Sequence, residues 1–142
     1  MNGNAELLNF IYQNSQMGVH TIQQLVDIVE DENFKRHLDS QFHEYEEIHN
    51  AAKAMLNKNG FDEKGISTFD KVKTYLMINM QTLTDKSPSH IAEMLILGSN
   101  MGVINAVKNI KKYKDADPEI LDLMERLLRF EENNIQQLKA FL

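Results

Sequence analysis

Two parts of this chain carry a similar sequence, and this repetition limits the folds available to it. The stretch at 14–19 reads NSQMGV and recurs as GSNMGV at 98–103. Further on, KAML at 53–56 matches KAFL at 139–142, less closely. A repeat of this length indicates two copies of one supersecondary unit. The copies are residues 5–58 and 88–142.

Each copy has the apolar spacing of two α-helices. Apolar and small residues recur at steps of three and four over several turns, as in one face of a helix. Ser87-Pro88 and Asp117-Pro118 each place a capping residue before a proline at the first helical position, and Gly60 is typical of a helix end. The sequence predicts helices at about 5–30, 33–58, 68–84, 88–114 and 118–141.

The connection between the copies, 60–87, is too long for a tight turn. It has an amphipathic helical pattern of its own, formed by Phe69, Val72, Leu76, Met80 and Leu83. Two helical hairpins joined by a long crossover are one of the standard topologies of a four-helix bundle. We therefore expect a single all-α domain over residues 1–142.

Composition excludes several classes of site. The chain has no cysteine, which rules out disulfides, thiolate metal sites and a cysteine nucleophile. Its net charge of −6 argues against nucleic-acid binding. There is no signal-peptide pattern and no uninterrupted apolar run long enough to span a bilayer, so we expect a cytoplasmic protein that does not bind membranes.

Polar residues interrupt the apolar stripes at one height. In a hairpin, residues equally far from the turn face each other, which puts Gly18 level with Tyr45 and Gly102 level with Glu131. If the two hairpins pack alike, one polar layer near mid-bundle contains Ser15, His49, Ser99, Glu131 and Asn134.

This layer has a structural and a functional interpretation. Structurally, the two glycines make room for Tyr45 and Glu131, and Glu131 bonds Tyr45 or His49 to set the register of the hairpins. Functionally, a buried carboxylate is costly unless it is paired or bound to a metal. The layer could then be a metal site or a small-molecule site, and the sequence leaves these alternatives open.

The layout resembles the ferritin-like superfamily, including small bacterial members with a helix in the crossover. In metal-binding members, Glu-x-x-His pairs on the second and fourth bundle helices help to ligate two irons. Here Glu46-Glu47-Ile48-His49 supplies one such pair, but the matching positions Glu132 and Ile135 lack the second histidine. The first and third helices offer Ser15 and Ser99, or Gln16 and Asn100, where the family has Glu. The resemblance implies at most a reduced site for iron or another divalent metal, with Glu46, His49, Glu131 and Glu132 as ligands.

The sequence contains no phosphate loop, dinucleotide fingerprint or Gly-x-Ser-x-Gly elbow, and no catalytic residue is assigned. The leading hypothesis is a non-catalytic structural or interaction module with a degenerate metal site, forming a homodimer through exposed apolar helix faces. One alternative is a metal-binding protein or oxidoreductase that uses the reduced site. Another is a module that binds a small ligand above Gly18 and Gly102. Whether the protein is an enzyme stays open.

Overall fold

A computed structural model describes residues 3–61 and 84–142 of the chain. These residues form four long α-helices: α1 (Asn4–Val26), α2 (Glu32–Lys58), α3 (Pro88–Lys112) and α4 (Pro118–Leu138), followed by a short 3-10 helix, Lys139–Phe141. No strand occurs among them. The all-α prediction is confirmed to this extent. The predicted crossover helix and its apolar residues lie outside the described residues.

Most of the helix ends are made by the residues that the sequence indicated. Ser87 accepts a hydrogen bond from the backbone N–H of His90 at 3.3 Å, and Pro88 occupies the first turn of α3. Gly60 has a φ of 73°, a left-handed conformation that glycine adopts without strain, just after α2. These devices satisfy backbone groups that the helix itself leaves unpaired.

One helix end and one cap differ from the prediction. Helix α1 ends at Val26 instead of near residue 30, because Ile28 and Val29 both donate backbone N–H groups to the Leu25 carbonyl in a turn. The side chain of Asp117 does not cap α4. Instead, the Asp117 backbone N–H donates to Asn4 Oδ1 at 2.9 Å, which connects the start of α4 to the start of α1.

Helices α1 and α2 pack together as one hairpin and α3 and α4 as the other, while α4 contacts both α1 and α2. Arg126 on α4 reinforces this contact on the surface. Its guanidinium lies 2.7 Å from a Glu44 carboxylate oxygen and 2.9 Å from a Glu47 carboxylate oxygen, both on α2. The second hairpin is therefore joined to the first mainly through α4.

The core consists of two apolar clusters with polar residues between them. One cluster includes Leu8, Ile11, Leu56, Met124 and Leu127, and the other includes Ile22, Leu25, Phe34, Leu38 and Ile91. Between them along the four helices lie the buried polar side chains Ser15, Ser99, Glu131 and Asn134. Burial of the two apolar clusters supplies the main stabilisation, and it removes the intervening polar groups from water.

Among the four described helices, α3 is the one with exposed large apolar side chains, namely Leu97, Met101 and Ile104. By length and composition it is apolar enough to cross a membrane, a property that buried core helices of soluble proteins also have, and 28 % of the relevant stretch is buried. Reasoning from uninterrupted apolar runs missed this property because Glu93, Ser99 and Asn100 divide the helix. Part of its apolar surface faces away from the bundle.

Candidate functional site

Glu131 is a carboxylic acid buried in the middle of the bundle. Its side chain is 2 % exposed, and the Tyr45 hydroxyl donates a hydrogen bond of 2.8 Å to its Oε1 atom. The Tyr45 ring is itself held edge-on against Phe130, with ring centroids 4.7 Å apart. The acid and the phenol come from α4 and α2, so this bond joins the two hairpins.

Two glycines create the space for this pair. A Cβ atom on Gly18 would lie 2.6 Å from Cε1 of Tyr45, closer than real Cβ contacts allow. A Cβ atom on Gly102 would lie 3.2 Å from Nδ2 of Asn14 and 3.7 Å from Cδ of Glu131. These contacts confirm the interpretation that Gly18 makes room for Tyr45. At Gly102 the tight neighbour is Asn14, and Glu131 lies at ordinary contact distance, so the space that Glu131 needs does not depend on this glycine.

Several polar atoms around the pair lack partners. Within the part of the chain that the structure describes, Oε2 of Glu131, Nδ2 of Asn14 and Nδ2 of Asn134 are buried and form no hydrogen bond of regular geometry. An unsatisfied buried polar group costs roughly 1–3 kcal/mol, and such groups usually bond to water or a ligand. Two of the three, on Asn14 and Glu131, belong to residues that line the same cavity.

The surroundings change the acidity of both partners. Burial raises the pKa of Glu131 to about 7, although the hydrogen bond from Tyr45 and the nearby Ser99 hydroxyl act in the opposite direction. Burial also raises the pKa of Tyr45 well above its ordinary value, and the neighbouring Glu131 carboxylate raises it further. Tyr45 therefore stays protonated and donates, while Glu131 changes its charge close to neutral pH.

A cavity of about 40 Å³ adjoins the acid. Its lining combines polar groups with apolar side chains from α1, α3 and α4. The lining residues are Asn14, Met17, Gly18, Thr21, Ile22, Gln41, Tyr45, Leu95, Gly98, Ser99, Glu131 and Leu138. Since one water-sized sphere needs roughly 10–15 Å³, the cavity has room for about three water-sized groups.

The structure divides the predicted polar layer into two parts. His49 lies beside Ser15, with Nδ1 at 3.2 Å from Ser15 Oγ and 3.2 Å from the Tyr12 carbonyl oxygen, and its ring stacks on Tyr12. Glu131 is bonded to Tyr45 instead. Of the two partners expected for Glu131, the structure selects the tyrosine.

The predicted metal ligands do not converge. Glu131 is buried, His49 is half-buried, and Glu46 and Glu132 are exposed. Among residues 3–61 and 84–142, no group of three or more His, Asp or Glu side chains is placed to hold a metal ion. This arrangement does not fit a two-iron carboxylate centre, and metal binding by these four residues stays a prediction for metal analysis.

Sequence reasoning did not identify Asn14 and Gln41 as members of the site. Gln41 is 4 % exposed, and its Nε2 atom lies 2.8 Å from Nε2 of His37. Asn14 opens the first copy of the repeated motif, where the second copy has Gly98, and both residues line the cavity. A difference between repeat-matched positions was the available signal for Asn14.

The fold and the site define an all-helical bundle with a buried Tyr–Glu pair beside a small cavity of mixed polarity. Comparisons of the chain with models of protein families, with curated proteins and with solved structures find no match. The geometry around Glu131 is therefore the basis for proposing a function.

Proposed function

We propose that this protein is a non-catalytic binding module that holds a small ammonium compound in the cavity beside Glu131. The observation that carries this proposal is the Oε2 atom of Glu131, which is buried next to a cavity and has no hydrogen-bond partner among residues 3–61 and 84–142. The proposal includes a ferritin-like order of the helices. Support for that order comes from the repeated hairpins and from the contact between Tyr45 and Glu131, which are matched positions of the repeat.

The charge of the acid suggests a cationic ligand. An ionised carboxylate that is removed from water needs a positive partner or several donors. Among the described residues, the side chains that act on the acidity of Glu131 are the neutral hydroxyls of Tyr45 and Ser99, and none is cationic. A primary ammonium group brings the positive charge and three N–H donors. Asn14 can offer its amide oxygen to such a group by turning its side-chain amide.

The dimensions of the cavity suggest a short ligand. Room for about three water-sized groups corresponds to a molecule of about three non-hydrogen atoms, such as ethylammonium. The apolar walls formed by Ile22, Leu95 and Leu138 suit its carbon chain. Since Met17 and Gly98 in the lining are only half-buried, a longer chain can extend towards solvent between α1 and α3.

The groups in this layer favour binding over catalysis. They are one carboxylic acid, amides, a serine hydroxyl and a phenol whose pKa is raised. A nucleophile next to an activating base is the usual arrangement for covalent catalysis. The sequence offers His49 as a base for such an arrangement. In the structure, His49 bonds to Ser15 and Tyr12 and not to the Tyr45–Glu131 pair.

The test is an amide-resolved NMR titration of the purified protein with ethylammonium chloride at about pH 8, where Glu131 is mostly ionised. We expect shifts centred on Asn14, Gly98 and Ser99. With a ceiling of about 1.5 kcal/mol per non-hydrogen atom, the Kd for ethylammonium should be no lower than about 0.5 mM. Glu131→Gln should abolish these shifts. Glu132→Gln, a matched change on the exposed neighbour, should leave them unchanged.

Three results would reject the proposal. The first is binding of ethanol, a neutral molecule of the same size, as strong as that of ethylammonium. The second is unchanged ethylammonium binding by Glu131→Gln. The third is stoichiometric iron, manganese or zinc in protein purified without chelator, lost in both His49→Ala and Glu131→Ala, which would favour the metal alternative.

A further inference from the structure

The outer face of α3 carries an apolar stripe that no described residue covers. Leu97, Met101 and Ile104 are 45 %, 42 % and 54 % exposed, and their spacing puts them on one side of the helix. Glu93 lies one turn before the stripe and Lys108 one turn after it, both exposed on the same side. This surface, residues 93–108 of α3, is called the outer α3 face below.

The order of residues on the outer α3 face is self-complementary. If two copies of α3 pack antiparallel about a two-fold axis near residues 100 and 101, Leu97 of one copy lies opposite Ile104 of the other. The same pairing puts Glu93 of one copy opposite Lys108 of the other copy. Within one copy, Glu93 and Lys108 lie about 22 Å apart along the helix. A parallel arrangement would instead put Glu93 against Glu93.

We infer that the outer α3 face binds a second copy of this chain in the antiparallel orientation. A two-fold contact uses the same patch on both copies, so the patch must complement itself. The outer α3 face does so, since Leu97 lies opposite Ile104 and Glu93 lies opposite Lys108. Neither Glu93 nor Lys108 forms an ion pair with any residue in 3–61 or 84–142. This inference is independent of the ligand proposed for the cavity.

The first hairpin lacks this pattern, although it shares the scaffold. The repeat-matched residues in α1 are Gln13 for Leu97, His20 for Ile104, and Asn9 and Gln24 for the two charged positions. Met17 matches Met101, but Leu97, Ile104 and the two flanking charges have no counterpart of the same kind in α1 and do not follow from the shared helical repeat.

A membrane surface is another occupant that an apolar helix face could have. Lipid offers no partner for Glu93 or for Asn100, which lies in the middle of the face, and the chain carries a net charge of −6. Interfacial helices that bind anionic membranes are rich in basic residues on their polar side. The charge order thus favours a second copy.

The apolar stripe spans only about two helical turns, which is too short to bury the roughly 800 Å² per partner of a stable interface. The dimer should therefore be weak and reversible. Sedimentation equilibrium at low ionic strength, from about 10 µM to about 1 mM protein, should show concentration-dependent dimerisation. Ile104→Glu should leave a monomer throughout this range, with an unchanged helical circular dichroism spectrum.

Charge reversal tests the orientation. Glu93→Lys or Lys108→Glu alone should weaken the dimer roughly tenfold, because each change replaces two attractive pairs by two repulsive ones. The double variant Glu93→Lys with Lys108→Glu should restore the dimer to within a factor of about three. Glu132→Lys, an equal charge change on the exposed side of α4, should have no such effect.

Four results would overturn the inference. They are a monomer at the highest concentration, a dimer that Ile104→Glu does not disrupt, a double reversal that fails to rescue either single variant, and a monomeric protein that binds vesicles of anionic phospholipid through the outer α3 face. The last result would assign the face to a membrane surface.

Discussion

Tyr45 and Glu131 occupy matched positions in the two repeats, and the hydroxyl of one donates a 2.8 Å hydrogen bond to the carboxyl group of the other. Residues at equivalent positions of two similar hairpins meet only near an approximate two-fold axis between them. Two identical residues there would juxtapose either two phenols or two carboxylates, and two carboxylates would repel. The unlike pair supplies one donor and one acceptor, which explains why the repeat diverges at this position.

The first prediction concerns the energy of this bond. Tyr45→Phe keeps the ring but leaves Oε1 of Glu131 without its donor, so we expect a loss of about 2 kcal/mol in the free energy of unfolding. Urea denaturation at about pH 8 measures it. In the Glu131→Gln background the same change should cost less, and strict additivity of the two substitutions would contradict direct coupling.

The second prediction compares the two repeat-matched glycines. Gly18→Ala should destabilise the protein by about 1–3 kcal/mol, because the new methyl group would overlap the buried Tyr45 ring. Gly102→Ala should be nearly neutral, since its closest neighbour is the movable Asn14 amide at 3.2 Å and alanine has the higher helix propensity. Thermal unfolding of both variants measures the difference, and equal effects would contradict it.

The third prediction is a pH dependence. Because the pKa of Glu131 is raised in the folded state from 4.5 to about 7, the folded protein retains a proton that the unfolded chain has already released. The free energy of unfolding should therefore fall as pH rises from about 4.5 to about 7, by roughly 3 kcal/mol, and be independent of this group above that range.

Glu131→Gln is the reference for this measurement, because all other titrating groups are common to both proteins. The difference in unfolding free energy between the parent and Glu131→Gln should decrease between about pH 5 and about pH 7, and then stay level. A difference that does not vary with pH would show that Glu131 titrates in the folded protein as it does in the unfolded chain.

The fourth prediction concerns the surface between the hairpins. Arg126 on α4 contacts both Glu44 and Glu47 on α2. The Lys58–Glu119 pair also joins α2 and α4, but its nitrogen–oxygen distance is longer, at 3.7 Å, and its side chains are more exposed. Arg126→Met should lower the free energy of unfolding by about 0.5–1 kcal/mol at low salt, and Lys58→Met should have almost no effect. Added salt should reduce the effect of Arg126→Met, and an equal loss in both variants would contradict this assignment.

Much of the local architecture could be predicted from the sequence. The proline and glycine positions marked the helix ends, with errors where a turn replaced the last helical residues of α1. The heights of Gly18 against Tyr45, and of Gly102 against Glu131, followed from counting residues from each turn. Helix rise is nearly constant, so the distance of a side chain from its own hairpin turn is a local property.

The sequence by itself thus determined the helices, the pairing within each hairpin and the level of the polar layer. Only the tertiary structure decided that Glu131 bonds Tyr45 and not His49, that Glu46 and Glu132 face outward, and that Asn14 borders a cavity. Those outcomes depend on how one hairpin is rotated against the other and on which rotamers the packed core admits. Rotation and packing are set by contacts between residues far apart in the chain, which residue spacing along a single helix does not encode.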